Sequence, residues 1–377
     1  TSVHWHGLMV PAAIDGGPHL VIDPNDSWKP RLSVDQPAAT LWYHSHVHER
    51  TGEQVHSGLA GVLLVDDGVD ADLGLPTRYG VNDLVLVLQD KRFDRDGVSR
   101  YNPTMPDVMA GFRGDTVLVN GTVRTGARVP PGIVRLRLVN ASNARIFDLA
   151  FSDRRTLHLI ATDLGLLPRR IEVDRLRLAP GERAELLVDF ANGKEVELVT
   201  GPDGNAAMGM MGMMSGLIGR GGVPNEGPLS VMSFTVDGSL ASTANRIPRS
   251  LAAEDPPKRE ATRSRQFSLD DMMMGSAMRG GASLHGVNGR PSAMDRLDFN
   301  TKLGTTERWT VRSTMMAHPF HVHGVRMRVL TQEGGLRVEN AGWKDTVLID
   351  RAAELLVEFD RPADATKPFM MHCHLLE

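Results

Sequence analysis

Apolar and polar residues alternate along most of this chain with a period of two. Ile133-Val134-Arg135-Leu136-Arg137-Leu138-Val139 and Arg183-Ala184-Glu185-Leu186-Leu187-Val188-Asp189-Phe190 are clear cases. Successive side chains of a strand point to opposite faces, so these segments predict half-buried strands. They are short and end in Gly, Pro, Asn or Asp, as at Pro130-Pro131-Gly132, Ala179-Pro180-Gly181-Glu182 and Asn192-Gly193. No long segment repeats with a helical period. Such punctuation predicts antiparallel β-sandwiches.

Internal repeats set the number of sandwiches. Ala184-Glu185-Leu186-Leu187-Val188-Asp189-Phe190 recurs as Ala353-Glu354-Leu355-Leu356-Val357-Glu358-Phe359, and Val119-Asn120-Gly121 recurs at nearly the same offset as Val287-Asn288-Gly289. Two matches at one offset imply duplicated units. The chain ends are related as well: His4-Trp5-His6-Gly7 resembles His321-Val322-His323-Gly324, and His44-Ser45-His46 resembles His372-Cys373-His374. Three related sandwiches are therefore expected, over residues 1–75, 76–245 and 262–377. The first is short against the ~100 residues of such sandwiches, so leading strands of the first unit and the last strand of the third are expected to be missing.

Composition narrows the function by exclusion. The 377 residues carry 42 basic and 46 acidic side chains, a net charge of -4, which gives no reason to expect nucleic acid as a partner. No apolar run approaches the ~20 residues of a membrane span. The single cysteine, Cys373, rules out disulfides within the chain. Unusual abundances remain: 14 His and 19 Met, both metal-binding residue types.

The histidines cluster in the pattern His-x-His, which occurs at 4/6, 44/46, 46/48, 321/323 and 372/374, against roughly 0.5 occurrences expected by chance on counting matches. Residues i and i+2 of a strand share a face, so each pair offers two imidazoles to one side. Four pairs from the two end units put eight imidazoles in one interface. Zinc and copper both suit imidazole. Cys373 lies between His372 and His374, so its sulfur faces the other way and serves a different metal. A thiolate with imidazoles and a weak axial ligand is a blue-copper arrangement, which decides for copper.

These motifs resemble those of the three-domain multicopper oxidases. The resemblance rests on His4-Trp5-His6-Gly7, Trp42-Tyr43-His44-Ser45-His46, His318-Pro319-Phe320-His321-Val322-His323-Gly324 and His372-Cys373-His374-Leu375-Leu376-Glu377. It implies an all-β chain of three cupredoxin-like Greek-key β-sandwiches and four copper ions in the complete protein. It implies that His4 and His321 hold the type 2 copper, that His6, His44 and His374 hold one copper of the type 3 pair, and that His46, His323 and His372 hold the other. His318 and Cys373 would bind the type 1 copper, whose remaining ligands family members supply from beyond this motif. Asp15 matches an acid near the type 2 copper. The resemblance further implies dioxygen as acceptor, a monomer, and a periplasmic or extracellular location. Of the other histidines, His48 continues the ligand face without a role, while His19, His56, His158 and His285 read as surface or supporting residues.

Methionine bears on the substrate. Met208, Met210, Met211, Met213 and Met214 crowd one segment; Met272, Met273, Met274 and Met278 crowd another. Thioethers are soft ligands suited to Cu(I). The second cluster resembles the Met-rich insertion of bacterial copper-efflux (cuprous) oxidases, though it is shorter. Met316 matches a substrate-binding Met of those enzymes, but Thr314 stands where they have an Asp, leaving Asp270 or Asp271 to supply a carboxylate. Three readings follow: a Cu(I) oxidase, a laccase acting on phenols or aromatic amines, and a copper-binding or sequestering protein without turnover.

Overall fold

The computed structural model describes residues 1–203, 205, 228–241, 246–251, 259–271, 285–313 and 316–377, with backbone alone at 270, 271 and 285. The chain is all-β, with 42% of residues in strands and 7% in helices. A three-stranded sheet at the start joins His4–His6, Ala39–His44 and Ala60–Val65. A seven-stranded and a five-stranded sheet follow and bury one shared core containing Leu88, Leu136, Phe147, Phe151, Leu186 and Phe234. The last part has a five-stranded sheet built on Arg263–Asp271, Thr305–Ser313 and Ala352–Phe359. A three-stranded sheet packs on it, with His318–Val322 between Thr346–Ile349 and Met371–Cys373. Trp309, Val311, Phe320 and Leu355 fill the core between them.

The duplication is visible in backbone detail. Asn120 and Asn288 both take a left-handed conformation, at φ 50° and 54°. In each, the side-chain oxygen accepts a backbone N–H, from Val87 at 2.8 Å and from Ser268 at 2.7 Å. Asn is among the few non-Gly residues that accept this conformation, so the repeated Asn-Gly marks the same turn twice.

Two expectations need correction. The sheets are not purely antiparallel: Asp83–Lys91 runs parallel to Ile133–Asn140, Arg263–Asp271 to Thr305–Ser313, and Gly126–Val129 to Leu229–Val236. The strand of each pair that comes second arrives by a long connection, which Greek-key topology permits and a hairpin does not. Nor are the alternating strands half-buried. Every residue of Ile133–Asn140 is buried, Arg135 and Arg137 included. On their polar face Arg137 holds Asp83 at 2.8 Å and Arg135 holds Glu185 at 2.8 Å, both from neighbouring strands of the same sheet, and both arginines reach Asp70 of the first unit. Thr40 from the first sheet donates to Glu185 at 2.6 Å. Complementary charges let a polar face enter an interior that an alternating pattern assigns to solvent.

Candidate metal centre

Strand pairing brings the histidines together. In the first sheet His4 pairs with His44 and His6 with Trp42; in the last, His321 pairs with His372. The two sheets face each other, and rings from opposite chain ends stack: His4 on His323 and His6 on His321, each with centroids 3.8 Å apart. His46 lies two residues beyond the end of its strand yet still joins the cluster, 3.2 Å from His372 between their Nε2 atoms. His48 does not continue that face. The chain turns after His46, with Glu49 at φ 61°, and His48 is exposed. All eight paired rings are buried except that of His372, which is half-buried.

The outer nitrogens are anchored. Nδ1–H donates to the carbonyl of Asp15 from His4 (3.0 Å), of Ser45 from His44 (2.8 Å), of Asp345 from His321 (2.9 Å) and of Cys373 from His372 (2.8 Å). A carbonyl only accepts, so these rings carry their proton on Nδ1 and turn a bare Nε2 inward. His323 reaches a carboxylate, Asp15 Oδ2 at 2.7 Å. His6 is inverted: its Nε2 meets Asp345 Oδ1 at 3.0 Å and its Nδ1 faces inward.

The inner nitrogens then face one another: His4 and His321 at 3.4 Å, His6 and His44 at 3.3 Å, His323 and His372 at 3.2 Å. Protonation does not resolve this. Burial, then the neighbouring rings, push His6, His46, His321 and His374 well below the usual imidazole range, and burial and His4 do so for His44. Burial and His4 bring His323 to about 4, and burial and His323 bring His372 to about 3. Neutral rings with outward protons leave lone pair against lone pair. His374 is fully buried with neither ring nitrogen bonded. Such a set fits cations: His46, His323 and His372 offer donor atoms within 4.8 Å of one another, as do His4, His321 and His323, and His4, His6 and His44.

Asp15 is built into this site. It ends the short helix Ala12–Ile14, and Gly16 follows at φ +82°, where a Cβ would sit 1.6 Å from the Val3 carbonyl oxygen. Only glycine lets the chain bend there. The bend puts Asp15 Oδ2 between His4 and His323 while Oδ1 has no protein partner. Burial alone would raise this carboxyl, but His4 and His323 hold it well below the usual carboxylate range.

Cys373 points away from the cluster, 3.2 Å from His318 Nδ1, and receives the Leu375 N–H at 3.4 Å. His318 and Cys373 line an open cleft walled by Phe267, Leu269, Trp309 and Phe359. Met316 is buried beside Ala317, which Asn205 holds through N–H and C=O at 2.8 and 2.6 Å. The side chains of Asp270 and Asp271, with Met272, Met273, Met274, Met278, Thr314 and the segment Met208 to Met214, lie outside the described residues. His19 is exposed and His158 partly so, whereas His56 is buried and bonded to Ser99.

Sequence reasoning missed Asp345, Thr346 and Arg183. Thr346 Oγ1 lies 3.1 Å from His6 Nε2, and Arg183 binds both oxygens of Asp345. The available signal was Lys344-Asp345, a charged pair set directly against the apolar strand Thr346–Ile349.

Known proteins match this chain over its whole length. Two multicopper oxidase family models match residues 1–70 and 255–377. The cell division protein FtsP of Dickeya dadantii is 39% identical over 379 residues, covering 100% of this chain and 75% of that protein. The solved structure of a laccase-like multicopper oxidase, CueO from Ochrobactrum sp., described as active towards lignin model compounds, is 41% identical with a TM-score of 0.89, covering 100% of this chain and 82% of that one. A multicopper oxidase from Campylobacter jejuni, described as a metallo-oxidase, is 25% identical with a TM-score of 0.80, covering 100% and 77%. Full-length likeness on a frame that gathers eight imidazoles at one interface leads to one conclusion: the chain belongs to the multicopper oxidase family.

Proposed function

We propose that this protein is a copper-dependent oxidase that couples one-electron oxidation of a substrate, Cu(I) foremost, to reduction of dioxygen to water. The observation that carries the reading is the eight-imidazole cluster, with ring nitrogens that face one another across its interior. His4 and His321 would hold the type 2 copper; His6, His44 and His374, and His46, His323 and His372, would hold the type 3 pair. His318 and Cys373 would contribute to the type 1 site. When bound, copper supplies one-electron redox steps and the delivery of four electrons to dioxygen.

The chain's own residues do the rest. Cys373 sits between His372 and His374, so two peptide linkages connect the type 1 pair to the cluster. Asp15 has one oxygen on His323 and the other without a protein partner, which suits it to receive a proton and pass it inward. Outer carbonyls keep the rings in one tautomer and one orientation. We place the protein in the periplasm or extracellular space, by its family resemblance.

Two observations favour other readings. The Ochrobactrum relative is described as laccase-like, which favours phenolic substrates. The curated relatives carry the name of a cell division protein, which favours a role without turnover; the intact histidine set supports turnover here. Oxygen consumption by the copper-loaded protein, with Cu(I) and with a phenol side by side, tests all three. Consumption with neither leaves a copper-binding protein. Replacing Met272, Met273, Met274 and Met278 by Leu then separates the first two: Cu(I) turnover falls while phenol turnover holds if these thioethers bind substrate, and unchanged Cu(I) turnover favours the laccase.

A further inference from the structure

The middle part of the chain supplies no imidazole to the cluster, yet one of its turns touches it. Gly181, at φ +84°, packs so closely that a Cβ there would lie 3.1 Å from His374 Cγ and Cδ2 and 3.2 Å from His6 Cε1. Two residues on, Arg183 is fully buried and its guanidinium reaches all three parts of the chain. It donates to the Thr40 carbonyl at 3.3 Å, to the Gly181 and Asp163 carbonyls at 3.0 and 2.9 Å, and to both oxygens of Asp345 at 2.7 and 2.6 Å. That bidentate grip fixes Asp345 in one orientation, with Oδ1 aimed at His6 Nε2.

We propose that the segment Gly181 to Arg183 is the third wall of the cluster and that, acting through Asp345, it dictates which nitrogen His6 offers to a metal. His4, His44, His321 and His372 give their protons to backbone carbonyls from Nδ1 and turn Nε2 inward; His6 alone turns Nδ1 inward. The inversion requires an acceptor at Nε2. An Arg-paired carboxylate only accepts, so it keeps the proton on Nε2 and leaves Nδ1 bare. Gly181 closes the space behind the His6 and His374 rings, so neither can rotate away. Arg183 and Gly181 are thus positioning residues, which explains why a unit without ligands stays docked at the site. The inference rests on the copper reading of the cluster.

The first test needs no metal. Nitrogen NMR of the imidazoles in the metal-free protein is expected to find His6 protonated on Nε2 and His44 on Nδ1; His6 protonated on Nδ1 overturns the proposal. The second test is Asp345→Asn. A carboxamide can turn its NH2 towards His6 and release the tautomer, so copper affinity of the cluster should fall about 10- to 100-fold. Gly181→Ala should lower it comparably by displacing the rings, whereas Arg183→Lys, which retains the charge without the fork, should fall between these variants and the parent. Folded Asp345→Asn protein that keeps both the parent tautomer and the parent copper affinity overturns the proposal. If the parent protein takes up no copper, the copper reading fails, and the His6 tautomer still decides this inference.

Discussion

Two buried polar regions lie close together in this molecule and are built on opposite plans. In the first, Asp83, Arg135, Arg137 and Glu185 of the middle unit join Asp70 of the first, and each charge has a partner of opposite sign. Burial would raise the Glu185 carboxyl, but Arg135 and Arg137 hold it below its ordinary value. In the second, the outer nitrogens of His4, His6, His44, His321, His323 and His372 are bonded, their inner ones are opposed, and His374 bonds through neither nitrogen. The first region is complete as protein. The second is complete only with something positive inside it, and this difference separates a structural polar core from a binding site better than burial or polarity does.

Breaking the first region should have the largest effect. Arg137→Met leaves Asp83 and Glu185 buried with a cation missing, which should destabilise the protein by about 3–5 kcal/mol, with or without copper. The shift of the urea unfolding midpoint measures it, and a loss under about 1 kcal/mol would mean that water already reaches the network.

Asp15→Asn keeps the shape of the carboxyl and removes its capacity to carry a proton. Oxygen turnover should fall on the order of 100-fold at unchanged copper content. A parallel loss of copper would instead assign Asp15 the orientation of His323 alone.

The pH response of the metal-free protein sharpens the contrast. His323 and His372 titrate near 4 and 3 when folded, below the ordinary 6.5, so the unfolded chain binds their protons first as pH falls. Stability should therefore be full above about pH 6.5 and decline progressively towards pH 4 and then 3. Unfolding midpoints across this range, with a chelator present, test it; a flat profile would show that the rings accept protons inside the fold and would remove the lone-pair argument.

His374→Leu should have the smallest effect on the metal-free chain. Neither ring nitrogen is bonded, so an apolar side chain should change stability by no more than about 1 kcal/mol while lowering copper uptake. A loss comparable to that of Arg137→Met would place the two regions in one class.

The sequence made the histidine cluster legible because its signal is local and periodic. An i, i+2 spacing within a strand fixes a shared face regardless of what packs on it, and Cys373 falls between two histidines by the same rule. His46 and His48 show where the rule stops: it holds only while the chain stays extended, and the turn at Glu49 ends it. The parallel strand pairs were not legible, since alternation reports faces and says nothing of direction. Arg135 and Arg137 were misread for a related reason. An alternating pattern names two faces but not what covers the second, and that depended on Asp70 and Thr40, both distant in sequence. Asp345 and Gly181 act through contacts that exist only after three units have docked.

His4 and His321 face each other although they lie 317 positions apart in the sequence. At about 5–20 residues per second, synthesis separates their appearance by tens of seconds. Throughout that interval the first half of the cluster is a row of exposed, metal-attracting rings with nothing opposite. The last motif to emerge is also the one that carries Cys373, the residue most easily harmed by a stray oxidised metal. On the copper reading proposed above, the topology therefore favours an order of assembly in which the chain closes on itself first and takes up metal afterwards.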